Sequence, residues 1–499
     1  MKLSISDSVQ QDSKQRLQTL IEAEFATKLA SKDFTLWGEA SEAEASIRLG
    51  WVDPIQDATE LLPEILKLKQ DFKEAGLTRV VLCGMGGSSL APEVICKNAG
   101  VDLHILDSTS PTSVRKALQD LQSTVVVVSS KSGSTVETDS QRRIFEQQFS
   151  EHGIDPKNRM VIVTDPGSAL AEDSYAKGYR VFEADPTVGG RYSALTAFGL
   201  VPSGLAGANI TQLIADAKNF HPTAFENSSE NPALHLAAAM SGSNSRLVID
   251  DSQTELAGIA DWIEQLIAES TGKEGLGILP VSGDPEAELA AGASSILPLR
   301  FSSDPADDGW VTVEGNLAEM FLTFEVATAA AGMLLGINPF DQPDVESAKI
   351  AARESLEKPQ TEPQSSTNIE IKQALTAIES HGYLAIQIYA NRGQQSELIS
   401  LREKLVSQTR VPVTVGWGPR FLHSTGQFHK GGTPGGVFLQ IIQHDQELMV
   451  PGKDYGFQQL LLSQADGDAR VLSGKGNKVL KLIVGEKESV IAALETVID

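Results

Sequence analysis

Two short stretches have the composition of anion-binding loops. Gly84, Gly86, Gly87, Ser88 and Ser89 follow the apolar run RVVLC, and Ser129, Ser130, Lys131, Ser132, Gly133, Ser134 and Thr135 follow TVVVV. Each pairs a buried-strand pattern with small hydroxylated residues that lead into a helical pattern. A helix start offers unpaired N–H groups and a partial positive charge, so such a turn can hold a phosphate dianion. Taken singly, either loop serves equally well as a helix N-cap. A third segment, Asp261 to Gly275, places Gln265 and Glu269 four residues apart on one helix face. Glu269 sits in the last turn, where the macrodipole disfavours a carboxylate, raises its pKa and suits it to act as a base near neutral pH. Helix logic alone favours a surface pairing of Glu269 with Lys273. Arg191, inside VGGRYSALTAFG, can clamp an anionic oxygen or pair with a carboxylate. Gln342 and Lys349 occur in NPFDQPDVESAK, a turn followed by a helix start.

Composition narrows the ligand. The chain has 499 residues, 41% hydrophobic and 21% charged, which is the profile of a folded multidomain protein. Its formal charge of -25 opposes nucleic acid and anionic membranes, so neither is expected as a partner. A phosphorylated small molecule would need a local cluster of donors to reverse that field. A nucleotide fits poorly, because the third glycine of GxGxxG is Ser89 here and no GxxxxGK[ST] occurs, although Asp107 ends the following strand. His423 and His429 lack zinc-like partners at the usual spacing, and no metal or other cofactor is expected. Cys83 and Cys96, without CxxC spacing, read as reduced packing residues suited to the cytosol. The N-terminus has no apolar signal region, and the most apolar stretch, Phe321 to Ile337, is interrupted by Glu325 and Gly332, so no membrane span is expected.

These segments must be positioned by regular elements. Residues 1–77 read as an N-terminal helical cap, with apolar positions at Leu17, Leu20, Ile21 and Phe25 and at Leu61, Ile65 and Leu68. Residues 78–204 alternate short apolar runs with amphipathic stretches, which predicts a parallel sheet covered on both faces. Residues 205–356 repeat the pattern, with SRLVID, GILPV and SSILPLRF as strands and helices at Asp261–Thr271 and Asn316–Gly336. Residues 357–368 read as a linker, and 369–499 as a smaller C-terminal α/β domain. Open α/β sheets bind ligands at the carboxyl ends of their strands, where both hydroxyl-rich loops fall.

In order, GMGGSSLAPE, SSKSGSTVET, GGRYS, QLIAESTGK and NPFDQPDVESAK resemble the signature segments of the phosphoglucose isomerase family. The C-terminal HSTGQFHKGGTPGG is similar to the isomerase half of transaldolase/phosphoglucose isomerase fusion proteins. The 77 residues before the first strand are too few for a transaldolase barrel of about 250 residues, so this resembles a free-standing isomerase of that type. The resemblance implies two SIS-type three-layer sandwich domains with parallel sheets, and interconversion of glucose 6-phosphate and fructose 6-phosphate through a cis-enediolate, a glycolytic and gluconeogenic step. It implies Glu269 as the base and Arg191 as the stabiliser of enediolate charge. Ser130, Lys131, Ser132 and Thr135 would hold the phosphate with Ser88, while Gly87 admits the sugar to the backbone and Gln265, Gln342 and Lys349 line sugar and phosphate. The family's ring-opening histidine has no counterpart between His235 and His381. His423 or His429 would then supply it from the C-terminal domain, in cis, which loosens the need for a dimer and allows a monomer or homodimer. Two other readings stay open: a dual phosphoglucose/phosphomannose isomerase, and a non-catalytic SIS-type sugar-phosphate sensor.

Overall fold

The computed structural model describes residues 1–242, 246–357, 363–393 and 395–498. The N-terminal segment is not purely helical. Its first strand, β1 (Lys2–Ile5), pairs antiparallel with a strand at Val311–Glu314, too short a period-2 pattern to register beside the helical ones. The helix Asp7–Glu22 then packs on Pro232–Met240, and Ile55–Glu74 packs on Ala197–Ala206. The segment is therefore part of both following units rather than a separate cap.

The first sheet contains β2 (Arg79–Gly84), β3 (His104–Leu106), β4 (Thr124–Ser129), β5 (Met160–Thr164) and β6 (Arg180–Glu183), in the order β3-β2-β4-β5-β6, all parallel. Every residue of the central strand β4 is buried. Its four valines explain why, since each gains about 1.5–3 kcal/mol from full burial. The second sheet holds β7 (Arg246–Asp250), β8 (Leu279–Ser282), β9 (Ile296–Phe301) and β10 (Val311–Glu314), in the order β1-β10-β9-β7-β8. The C-terminal sheet is built from β11 (Tyr383–Tyr389), β12 (Val413–Trp417), β13 (Gly436–Gln443) and β14 (Lys478–Val484), in the order β12-β11-β13-β14, all parallel. Two α/β units with largely parallel sheets, plus a smaller C-terminal α/β domain, are what the alternating pattern predicts, and the family resemblance implies that the two units are SIS-type. The expected linker at 357–368 lies in part, at 358–362, outside the described residues.

Seven helices bear on the site: α1 (Leu90–Asn98), α2 (Val136–Glu151), α3 (Ile259–Thr271), α4 (Leu317–Leu335), α5 (Pro343–Leu356), α6 (Gly426–Gly431) and α7 (Phe457–Gly474). One continuous apolar core joins the N-terminal helices to both SIS units, from Val80 and Val127 to Leu247, Leu297 and Phe321. By length and composition α4 could cross a membrane, yet it is buried in this core against α3, Ile210–Ala224 and Pro232–Met240. The C-terminal domain has its own core around Leu384, Ile386, Leu439 and Ile441. It also shares a cluster with the second unit, in which Val248 and Ala268 meet Tyr383, Phe428 and Phe438. That shared cluster seats α6 against the end of α3.

Candidate active site

Glu269 lies in the last turn of α3, and the turn faces inward: Gln265, Glu269, Ser270 and Thr271 are all buried. Its Oε2 accepts a hydrogen bond from Gln265 Nε2 at 3.2 Å and stands 3.5 Å from Arg191 Nε. Burial pushes the Glu269 carboxyl up from the ordinary carboxylate range, and attraction to Arg191, His423 and Lys349 offsets only part of that rise. The surface pairing with Lys273 does not occur. Lys273 is itself buried and donates to the carbonyls of Asn338 and Asp341 at 2.6 and 2.7 Å and to Asp341 Oδ1 at 2.5 Å, which anchors the loop before α5. Burial and nearby Arg191 bring its ammonium down to about 8.

Arg191 sits on a single 3-10 turn, Gly190–Tyr192, and is 3% exposed. Its guanidinium donates to the Phe340 carbonyl at 3.1 Å, the Asp341 carbonyl at 3.3 Å and Gln342 Oε1 at 2.8 Å. These neutral acceptors fix the fork without neutralising its charge, so the cation remains available to Glu269 and to any anion beside it. Gln342 thus positions the arginine. Gln265 Oε1 is buried with no hydrogen-bond partner among the described residues, an open acceptor next to the carboxylate.

The first hydroxyl-rich loop closes on this pair. A Cβ at Gly87 would lie 2.0 Å from the Gly190 carbonyl oxygen, so only glycine lets the turn carrying Ser88 touch the turn carrying Arg191. Gly86, at φ +57, would place a Cβ 2.4 Å from the His423 carbonyl oxygen. Ser88 is buried beside these contacts.

The second loop opens onto a cavity of about 220 Å³ lined by Ser132, Ser134, Thr135, Glu137, Lys349, Arg353, His423 and Gln464. Thr135 is the residue before α2, so its hydroxyl and the first N–H groups of a 16-residue helix stand at one end of the cavity. Lys349 and Arg353, one turn apart on α5, bring positive charge to the cavity against the chain's net charge of -25, and Glu346 in the same lining lies 3.6 and 3.9 Å from them. Ser132 and Ser134 share a hydrogen bond at 2.9 Å, and Ser130 is buried with its hydroxyl donating to Thr135 Oγ1 at 3.2 Å. Lys131 differs from expectation. Its Nζ is held by Asp165 Oδ2 at 2.8 Å and the Pro186 carbonyl at 3.1 Å, on the far side of the loop from this cavity, because Asp165 at the end of β5 offers the nearest carboxylate.

The two candidate histidines also separate. His423, 15% exposed at its side chain, places Nε2 2.9 Å from Glu137 Oε1 in the cavity wall, and its Nδ1 makes no hydrogen bond among the described residues. Burial alone would raise the Glu137 carboxyl, but attraction and a hydrogen bond from His423 hold it below its ordinary value. Gln464 Nε2 of α7 donates to the same oxygen at 2.7 Å. The His423 carbonyl accepts from Gln265 Nε2 at 2.8 Å, so one residue links the cavity to the Glu269 pocket. His429 is no candidate for ring opening. It is buried in the C-terminal core, stacked on Tyr383 and edge-on to Phe438, with Nδ1 3.1 Å from Tyr383 Oη. Desolvation there brings it down to about 3, so it is neutral at physiological pH.

Sequence reasoning missed Glu137, Gln464, Arg353 and the anchoring role of Lys273. Glu137 had a local signal, since a carboxylate in the first turn of α2 is favoured by the dipole, but that same fact made it look like ordinary helix chemistry. Gln464 has no local signal at all, as it stands 327 residues from its partner.

Known proteins match this arrangement. The family model for phosphoglucose isomerase matches residues 68–276, which hold both loops, Arg191, Gln265 and Glu269 and end before the C-terminal domain. A glucose-6-phosphate isomerase of Clostridium tetani is 28% identical over 384 residues, covering 60% of this chain and 85% of that protein. One from Thermus thermophilus is 28% identical over 388 residues, covering 64% and 92%. Among solved structures, a hypothetical protein, also from Thermus thermophilus, aligns with a TM-score of 0.60 at 24% identity, over 72% of this chain and all of that one. A glucose-6-phosphate isomerase from Chlamydia trachomatis aligns at 0.54 and 18%, over 70% and 86%. These two likenesses speak to the fold, the relatives to descent. With the family's segments matched in order along it, the stretch 68–276 is a phosphoglucose isomerase domain.

Proposed function

We propose that this protein interconverts glucose 6-phosphate and fructose 6-phosphate, with Glu269 as the base. The observation that carries the reading is a buried carboxylate raised above its ordinary pKa and 3.5 Å from a buried arginine. Carbon next to a carbonyl is only weakly acidic, so a base there needs a fixed cation near the oxygen that gains charge. Glu269 takes the proton from C2 of the open-chain aldose and returns it to C1, while Arg191 stabilises the enediolate between these steps. A sensor would have no use for a carboxylate held at this cost in solvation.

Ring opening precedes that step. His423, oriented by Glu137, takes the C1 hydroxyl proton on its unengaged Nδ1 and delivers it to the ring oxygen as the bond between C1 and that oxygen breaks. Ser132, Ser134, Thr135, Lys349 and Arg353 hold the phosphate, and the open Gln265 Oε1 accepts a substrate hydroxyl. The buried thiols of Cys83 and Cys96 and the sugar-phosphate substrate suit a cytoplasmic glycolytic enzyme.

The test is a coupled assay of fructose 6-phosphate conversion on the wild type and Glu269→Gln. The amide keeps the shape and loses the base, and kcat should fall by about 10³-fold, within the range general-base removal produces. An inactive wild type, or a Glu269→Gln enzyme of wild-type rate, defeats the reading. A parallel assay with mannose 6-phosphate decides whether the C2 epimer is also a substrate.

A further inference from the structure

His423 reaches the substrate pocket from a domain outside the two SIS units, so something must fix it there. The 3-10 turn Arg420–His423 begins with a buried arginine. Side chains at i and i+3 of such a turn eclipse one another, so Arg420 and His423 leave it on the same side. Arg420 Nη1 donates to Glu93 Oε2 at 2.6 Å and to Asp107 Oδ2 at 2.8 Å, and Nη2 donates to Asp261 Oδ2 at 3.2 Å. Glu93 lies on α1, directly after the Gly86–Ser88 turn; Asp107 ends β3; Asp261 lies on α3, just over two turns before Glu269. One guanidinium therefore joins the His423 turn to both units that build the pocket.

We propose that Arg420 is the positioning residue that places His423 for ring opening. It touches no substrate, and it acts through the geometry of the turn. Glu93 is shared with Lys97 at 2.9 Å and Arg392 at 3.0 Å, and Asp261 with Arg392 at 3.8 Å, while Asp107 forms an ion pair with Arg420 alone among the described residues. What depends on it is the simultaneous reach to three elements, which a planar fork provides and an ammonium does not. The inference rests on His423 as the ring-opening group.

The test measures enzyme-catalysed anomerisation of glucose 6-phosphate by NMR exchange, which reports ring opening without isomerisation. Affinity for the open-chain alditol phosphate of the substrate, which has no ring to open, is measured alongside. Arg420→Lys keeps the charge and should lower anomerisation by about 10²-fold, the cost of a misplacement near 1 Å, with alditol phosphate affinity unchanged. Anomerisation at the wild-type rate overturns the inference. So does an equal loss of alditol phosphate affinity, which would make Arg420 a support for the whole pocket. Should Arg420→Lys fail to fold, Asp261→Asn removes only the partly exposed arm of the clamp, and a wild-type anomerisation rate in that variant overturns the inference equally. The two readings come apart cleanly. His423→Asn at the wild-type anomerisation rate removes the role of His423, whereas a slow His423→Asn beside a wild-type-like Arg420→Lys removes only the role of Arg420.

Discussion

Arg191 acts on Glu269 in two ways that a single substitution separates. Its charge opposes the effect of burial and keeps the carboxyl from rising further, and in the mechanism proposed above it also stabilises the enediolate charge. Removing the cation raises the pKa of a carboxylate base, so in Arg191→Gln the acid limb of the kcat/KM profile should move to higher pH. The plateau above that limb should fall by about 10²–10³-fold, the loss typical of one lost electrostatic stabiliser. A pH series of the coupled assay reads both, and a limb that stays in place or moves down contradicts the assignment. The two lysines of the phosphate region give a second contrast. Lys349 lines the cavity, whereas Lys131 is occupied by Asp165 and Pro186. Lys349→Ala should raise KM by about tenfold, as loss of one charge-assisted contact does. Lys131→Ala should change KM far less, and an equal effect at both would show that Lys131 leaves Asp165 to meet the phosphate. The family resemblance named both lysines, and a loop sequence lists its donors without saying which of them a neighbouring strand end will capture. The same limit separates His423 from His429, six residues apart in one segment, where only packing against Tyr383 and Phe438 distinguishes them.

At the scale of elements, most of the architecture was legible. The strands of the first sheet fall on the apolar runs RVVLCGM, DLHILD, TVVVVSS, MVIVTD and YRVFEAD, and those of the C-terminal sheet on YLAIQIYA, PVTVGWG, GVFLQII and VLKLIVG, the more continuously so the more fully the strand is buried. The edge pair of the second sheet, β1 and β10, was not. Strands of four residues with a polar face carry too little pattern, and their pairing spans over 300 residues. The helix α4 shows a different gap between pattern and structure. Its apolar sequence announces burial, and Glu325, which interrupts that sequence, is buried with it: it is 1% exposed, with Oε1 unpartnered among the described residues. Burial raises this carboxyl well above its ordinary value, so it is neutral in the fold at pH values where the unfolded chain has already lost the proton. The folded state then binds more protons, and stability falls as pH rises from the ordinary carboxylate range toward the raised value, by about 1.4 kcal/mol per pH unit. Glu325→Gln should remove that slope. Denaturant midpoints taken between about pH 5.5 and 8 test it, and an unchanged slope would place the titration elsewhere.

The whole molecule brings one site together from three α/β units of a single chain. The first supplies the serine-rich helix start and Arg191, the second Glu269, Gln265 and Lys349, and the third His423, with α6 seated on the end of α3. Two contacts lock that seat: Gln427 Nε2 donates to the Gly272 carbonyl at 2.9 Å, and the Asp344 N–H donates to Gln427 Oε1 at 3.0 Å. They tie the C-terminal domain both to the end of the base helix and to the start of α5. The His423 carbonyl is bonded to Gln265 of the same chain. If base and ring-opening group belong to one chain, two defective chains cannot repair each other. Glu269→Gln and His423→Asn proteins, mixed after joint unfolding and refolding so that any subunits exchange, should show no more activity with cyclic glucose 6-phosphate than the sum of the two alone. A site shared across a dimer would behave otherwise, because a mixed dimer holds one pocket with both residues intact, and about half of randomly paired dimers would be mixed. Recovery of about a quarter of the wild-type rate would therefore place His423 in the neighbour's pocket and overturn the single-chain assembly.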